Sequence, residues 1–201
     1  MRFFVLLALC AAAASAATIS DVATGAVPST TVAAPGAVTA GDFTYFKGRY
    51  GGNDTVGEGV DDEIHWVFDF SGQPGLGAIT NGAALTAATL RLKLTPTDFW
   101  IITDTVWIDG LPEISSPLIQ SLTVGAAADI TVNLLDYYTS AQIQTALKAG
   151  NGKLNMLFQD DATLTYAALT LTNPTAVPEP ATLGVAAAAL AATALVLRKR
   201  R

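Results

Sequence analysis

The sequence predicts an all-β fold: an antiparallel β-sandwich of jelly-roll type with one short α-helix, between a signal peptide and a C-terminal transmembrane helix. Three observations predict it. Through the middle of the chain apolar residues recur with period two, not 3.6. The alternating runs are short and separated by Gly-, Pro- and Asp-rich turns. No strand–helix–strand rhythm of the kind that builds a parallel sheet interrupts them.

The elements follow in chain order. Arg2 gives a positive start, residues 3–14 are apolar, and Ala14-Ser15-Ala16 is an A-x-A cleavage site, so residues 1–16 read as a signal peptide. The single cysteine, Cys10, leaves with it. Leu9 stands where a lipidation signal needs a small residue. The mature chain therefore has no thiol for disulfides, thiolate metal sites or cysteine nucleophiles. Residues 17–41, rich in Ala, Thr, Val, Gly and Pro, carry little periodicity and read as a leader holding one edge strand.

The β-sandwich domain is expected over 42–173. Ile64, Trp66, Phe68 and Phe70 share one parity, and His65, Val67 and Asp69 the other. Ala88, Leu90, Leu92 and Leu94 alternate with Thr89, Arg91, Lys93 and Thr95, giving one buried and one wet face. Further strands fit 100–109, 119–124, 129–134, 153–159 and 163–171. One helix is expected where Thr139 and Gln142 make a capping box, Ile143, Ala146 and Leu147 an apolar stripe, and Gly150 a stop.

Beyond a linker at 174–180, residues 181–197 are apolar and Arg198, Lys199, Arg200 and Arg201 follow. At ~1.5 Å per residue this helix covers ~25 Å, short of a ~30 Å hydrocarbon core. Basic side chains reaching to the interface make up the difference. The positive-inside tendency leaves Arg198–Arg201 as a cytoplasmic stop-transfer tail and residues 17–180 outside.

Val177-Pro178-Glu179-Pro180, the alanine-rich span and the arginine cluster together resemble the PEP-CTERM sorting signal. The resemblance implies that Pro178, Glu179 and Pro180 are recognition residues and that an exosortase, a membrane cysteine protease, removes the tail. It also implies export by the secretion machinery of a Gram-negative bacterium that makes exopolysaccharide. The route would be transient anchoring in the inner membrane with the domain on the periplasmic side, then delivery to the cell surface or beyond. More loosely, residues 87–94 (AATLRLKL), 104–110 (DTVWIDG) and Gln159-Asp160-Asp161 resemble β-sandwich passengers of such proteins, which implies a fold and no activity.

Charge narrows the function classes. Five of the eleven basic residues are terminal. The six between them face sixteen acids from Asp21 to Asp161, a net charge near −10. Such a surface repels phosphate backbones, so no nucleic-acid partner is expected.

His65 is the only histidine, too few for a zinc site and a poor start for a hydrolytic triad. The glycines at 48, 51, 52, 57 and 59 precede a strand and do not open a phosphate-binding helix. Glu58, Asp61, Asp62, Glu63 and Glu113 could supply a glycosidase pair, but adjacent acids in a Gly-rich loop are usually solvated. No catalytic residue is assigned, no cofactor is required, and an enzyme is not expected.

Two binding chemistries remain. Asn53, Asp54, Asp61, Asp62, Asp160 and Asp161 offer hard oxygen ligands for calcium, without EF-hand spacing. Exposed aromatics could stack sugar rings, and Trp107, opposite in parity to Val106 and Ile108, is the leading platform among Tyr45, Tyr50, Trp100, Tyr137 and Tyr138. The expected role is a structural or adhesive surface protein associated with exopolysaccharide. The alternative is a lectin-like carbohydrate-binding module, calcium-dependent or not.

Overall fold

The computed structural model describes residues 16–49, 55–98 and 104–174. The alternation in β6 (Asp62–Asp69) has its expected consequence: Ile64, Trp66 and Phe68 are buried, while Val67 and Asp69 face out. β6 lies inside a five-stranded sheet ordered β3 (Ala37–Ala40), β4 (Phe43–Lys47), β6, β10 (Lys153–Asp160), β8 (Thr105–Ile108). A second sheet runs β1 (Thr18–Thr24), β11 (Ala162–Thr172), β7 (Ala87–Pro96), β9 (Ala128–Asn133). Neighbouring strands are antiparallel throughout. Val32–Ala33 (β2) and Thr55–Val56 (β5) form a separate short ladder.

The two sheets share one core. Phe43, Trp66, Phe68, Met156 and Phe158 come from the five-stranded sheet; Ile19, Leu90, Leu92, Leu169 and Leu171 come from the other. Each large apolar side chain taken from water contributes about 1.5–3 kcal/mol. Trp66 meets Phe43 and Phe68 edge-on, at centroid distances of 5.8 and 6.2 Å, the geometry that ring quadrupoles favour. Tyr45 pins sheet to sheet: its buried hydroxyl donates to the Leu164 carbonyl and accepts the Leu164 N–H, both at 3.1 Å. That contact falls where the β11–β7 register shifts between Leu164 and Tyr166. Burial outweighs this hydrogen bonding and pushes the Tyr45 phenol up to about 12.

The N-terminal region is more ordered than its sequence suggests. Residues 17–41, expected as a leader with one edge strand, supply β1, β2 and β3. Ile19 and Ala23 of β1 are buried, but the inward parity between them holds Asp21, which breaks the apolar pattern. At the sheet edge Asp21 has a use: its carboxylate accepts the Asp69 N–H at 2.5 Å. β1 pairs with the last strand, Thr18 opposite Thr172, so both ends of the domain leave from one corner. Asn173 ties them. Its Oδ1 accepts the Ala17 N–H (3.2 Å), its N–H donates to the Ala17 carbonyl (3.0 Å), and its Nδ2 donates to the Ala78 carbonyl (2.7 Å).

The expected helix is α3 (Ser140–Ala149), with both halves of the Thr139–Gln142 capping box formed. Two further short helices occur, α1 (Leu76–Asn81) and α2 (Pro117–Gln120). α2 corrects the strand expected over 119–124. Pro117 presets the first helical φ and Ser116 accepts the Leu118 N–H, so local capping overrides the apolar alternation there. Of the strand expected over 100–109, 105–108 is β8 and 99–103 lie outside the described residues. Among the described residues no helix is long and apolar enough to cross a membrane; residues 1–15 and 181–197 lie outside them.

Candidate functional site

At one end of the domain, chain turns gather several of the acids expected to bind calcium. Asp62 opens β6 and is 1% exposed. Residues 57–61 curl over it, with Gly57, Gly59 and Asp61 all at positive φ. The loop hydrogen-bonds the carboxylate: Oδ2 accepts the Gly59 N–H at 2.7 Å and the Gly57 N–H at 3.0 Å. Burial pushes the Asp62 carboxyl up to about 6 from its ordinary 3.8. The two amides oppose that rise, and the charges of Glu58 and Asp61 add to it.

Asp161, also buried, accepts the Asp61 N–H at 3.1 Å and donates its own N–H to Asp104 Oδ1 at 2.9 Å. Its carboxyl too is raised by burial, with Asp61 and Asp98 adding to the rise. These carboxylates close turns: Asp62 accepts two backbone amides and Asp161 one. Among the described residues no three His, Cys, Asp or Glu side chains are grouped to hold a metal ion. Asn53, Asp54 and the side chain of Asp160 lie outside those residues.

Trp107 is not the platform its parity suggests. It does point away from Val106 and Ile108, but all three are buried, Trp107 at 8% exposure. Its cross-strand partner Leu157 is also 8% exposed and Gln159 only 3%, so the β8–β10 side of this outer face is covered. Tyr45 and Tyr138 are buried, Tyr138 donating to the Pro112 carbonyl at 2.6 Å. Tyr137 is exposed at 41%. Tyr50 and Trp100 lie outside the described residues.

The same outer face opens on its β4–β6 side. Thr44, Phe46, His65, Val67 and Asn155 floor a concavity of about 590 Å³ walled by Asp21, Val22 and Asp42 of the N-terminal segment and by Asp109. The Phe46 and His65 rings lie 4.7 Å apart and tilted by 53°. His65 Nε2 is 2.5 Å from Glu63 Oε1, which fixes the ring beside a carboxylate. Sequence reasoning passed over this groove, although Phe46 and Val67 signalled it as bulky apolar residues at wet-face positions.

Pro178, Glu179, Pro180 and Arg198–Arg201 lie outside the described residues. The closing strand ends at Thr172 and Asn173 is anchored, so few residues separate the folded domain from the Pro-Glu-Pro triplet. No curated protein and no solved structure matches the chain. A family model does: residues 176–201 match the PEP-CTERM protein-sorting motif, so this chain carries the sorting signal that implies an exported, surface-directed protein processed by an exosortase.

Proposed function

We propose that the chain is a non-catalytic structural or adhesive component of the cell envelope, retained among exopolysaccharide after an exosortase removes its tail. The observation that carries this reading is the join between motif and domain. The sorting signal begins at 176, directly after a two-sheet unit spanning Ala17–Pro174 that closes by pairing its first strand with its last. A cut in the tail therefore leaves every described strand and core residue in the released domain. In this reading residues 1–16 direct export, 181–197 hold the domain on the periplasmic side, and Arg198–Arg201 stop transfer.

The experiment is a deletion of the gene in its own host, with cell fractionation and measurement of retained polysaccharide. Loss of cell-bound polysaccharide, restored by the intact gene but not by one lacking 176–201, supports the reading. Unchanged retention contradicts it.

A second reading, a carbohydrate-binding module, is favoured by one feature: the groove on the β4–β6 face, which combines exposed apolar side chains with carboxylates. Trp107 has no part in it.

A further inference from the structure

We propose that the groove between β1 and the outer face of β4–β6 binds an amino-sugar polymer that carries free amines. The proposal deepens the carbohydrate-binding reading and is independent of tail processing. Six large apolar side chains are exposed among the described residues, and three of them, Val22, Phe46 and Val67, line this one concavity. Water-exposed apolar surface gathered in a concave site marks a binding face more often than scattered exposure does. Its volume of about 590 Å³ suits a few sugar rings.

The polar groups choose the ligand. Three carboxylates, Asp21, Asp42 and Asp109, stand around the groove, and among the described residues no lysine or arginine lines it. Asp21 accepts the N–H groups of Val22 (2.9 Å) and Asp69 (2.5 Å), and Asp42 accepts the Thr24 N–H at 2.7 Å. Backbone amides hold the Asp21 and Asp42 carboxylates in place without cancelling their charge, and Asp109 adds a third negative group to the lining. Lys153 of β10, two residues from Asn155, is bound to Asp69 at 2.8 Å. Such a site wants hydroxyl and ammonium donors. With a net charge near −10 between the termini, it repels uronic-acid polymers.

A peptide fits the floor poorly. β4 and β6 pair with each other and β6 pairs with β10, so over the paired stretch the floor has no backbone edge for an added strand. Binding must use side chains, as a ring with an apolar face and polar edges can.

The test is calorimetry on the full-length chain in mild detergent micelles, with glucosamine hexamer, N-acetylglucosamine hexamer, oligogalacturonate and hexalysine as probes. The expected result is binding of glucosamine hexamer at least ~tenfold tighter than its acetylated counterpart and none of the oligogalacturonate. D109N should weaken that binding several-fold. F46A, and separately V67T, should weaken it ~tenfold with the melting temperature kept. No binding of glucosamine hexamer overturns the proposal, as does equal affinity for the acetylated hexamer. Hexalysine binding as tight, with F46A and V67T without effect, reduces the groove to a patch of negative charge and overturns it too.

Discussion

Replacing Asp62 by asparagine should change how stability depends on pH, and the structure gives the sign. Asp62 is 1% exposed and its carboxyl stands at about 6 in the fold, against about 3.9 in an unfolded chain. A raised acid favours the folded state while protonated. Its contribution is whole below about pH 4 and is lost as pH rises through 6. The loss is on the order of 3 kcal/mol, a sizeable part of a domain's stability. Asparagine keeps an oxygen for the Gly59 and Gly57 amides and never ionises. Urea unfolding followed by tryptophan fluorescence, at pH 4.5, 6.0 and 7.5 and one ionic strength, is the assay. The wild type should lose about 2 kcal/mol more than D62N between the two ends of that range, part of the total having gone already by pH 4.5. The difference cancels the general self-repulsion of an acidic chain, which both proteins share. Parallel pH curves for wild type and D62N would refute the argument. A bound cation reverses the sign: stability would then rise with pH, and rise further in millimolar calcium.

Three other changes test the framework. Tyr45→Phe strips the Leu164 amide and carbonyl of their shared partner and should cost roughly 2–4 kcal/mol in urea unfolding. Thr139→Ala removes the acceptor for the Gln142 N–H and should cost about 1 kcal/mol, with faster hydrogen exchange confined to the start of α3. Asn173→Ala releases the tie between the two ends; amide exchange near Ala17 and Thr18 should rise well before any change at β6 or β10.

Which features were legible in the sequence follows from which signals are local. β6, β7 and β10 were plain because apolar residues recur at alternate positions, 64/66/68, 88/90/92/94 and 154/156/158, and β11 because they do so over 167/169/171. The capping box announced α3 for the same reason: all its partners lie within four residues. β1 was hidden by Asp21, whose role depends on Asp69, far along the chain. The strand expected over 119–124 failed because Ser116 and Pro117, just upstream, set a helical turn that alternation cannot reveal. Trp107 misled for a tertiary reason: parity gave its face correctly but not that the β8–β10 side of that face is covered. The amides of Gly57 and Gly59 on the Asp62 carboxylate were not legible, because the loop's positive-φ curl that brings them there is not a periodic signal. The groove was half visible, since Phe46 and Val67 break the polar pattern, but β1 as its wall required the fold.

Whether residues 176–201 are a sorting signal that is cut away can be read from the intact mass of the surface-associated protein from a host with its exosortase. Wild-type protein should carry a C-terminus that no longer includes 181–201. E179A should remain full length at that end and stay in the inner-membrane fraction. Wild-type protein recovered from the cell surface with Arg201 still attached would contradict it.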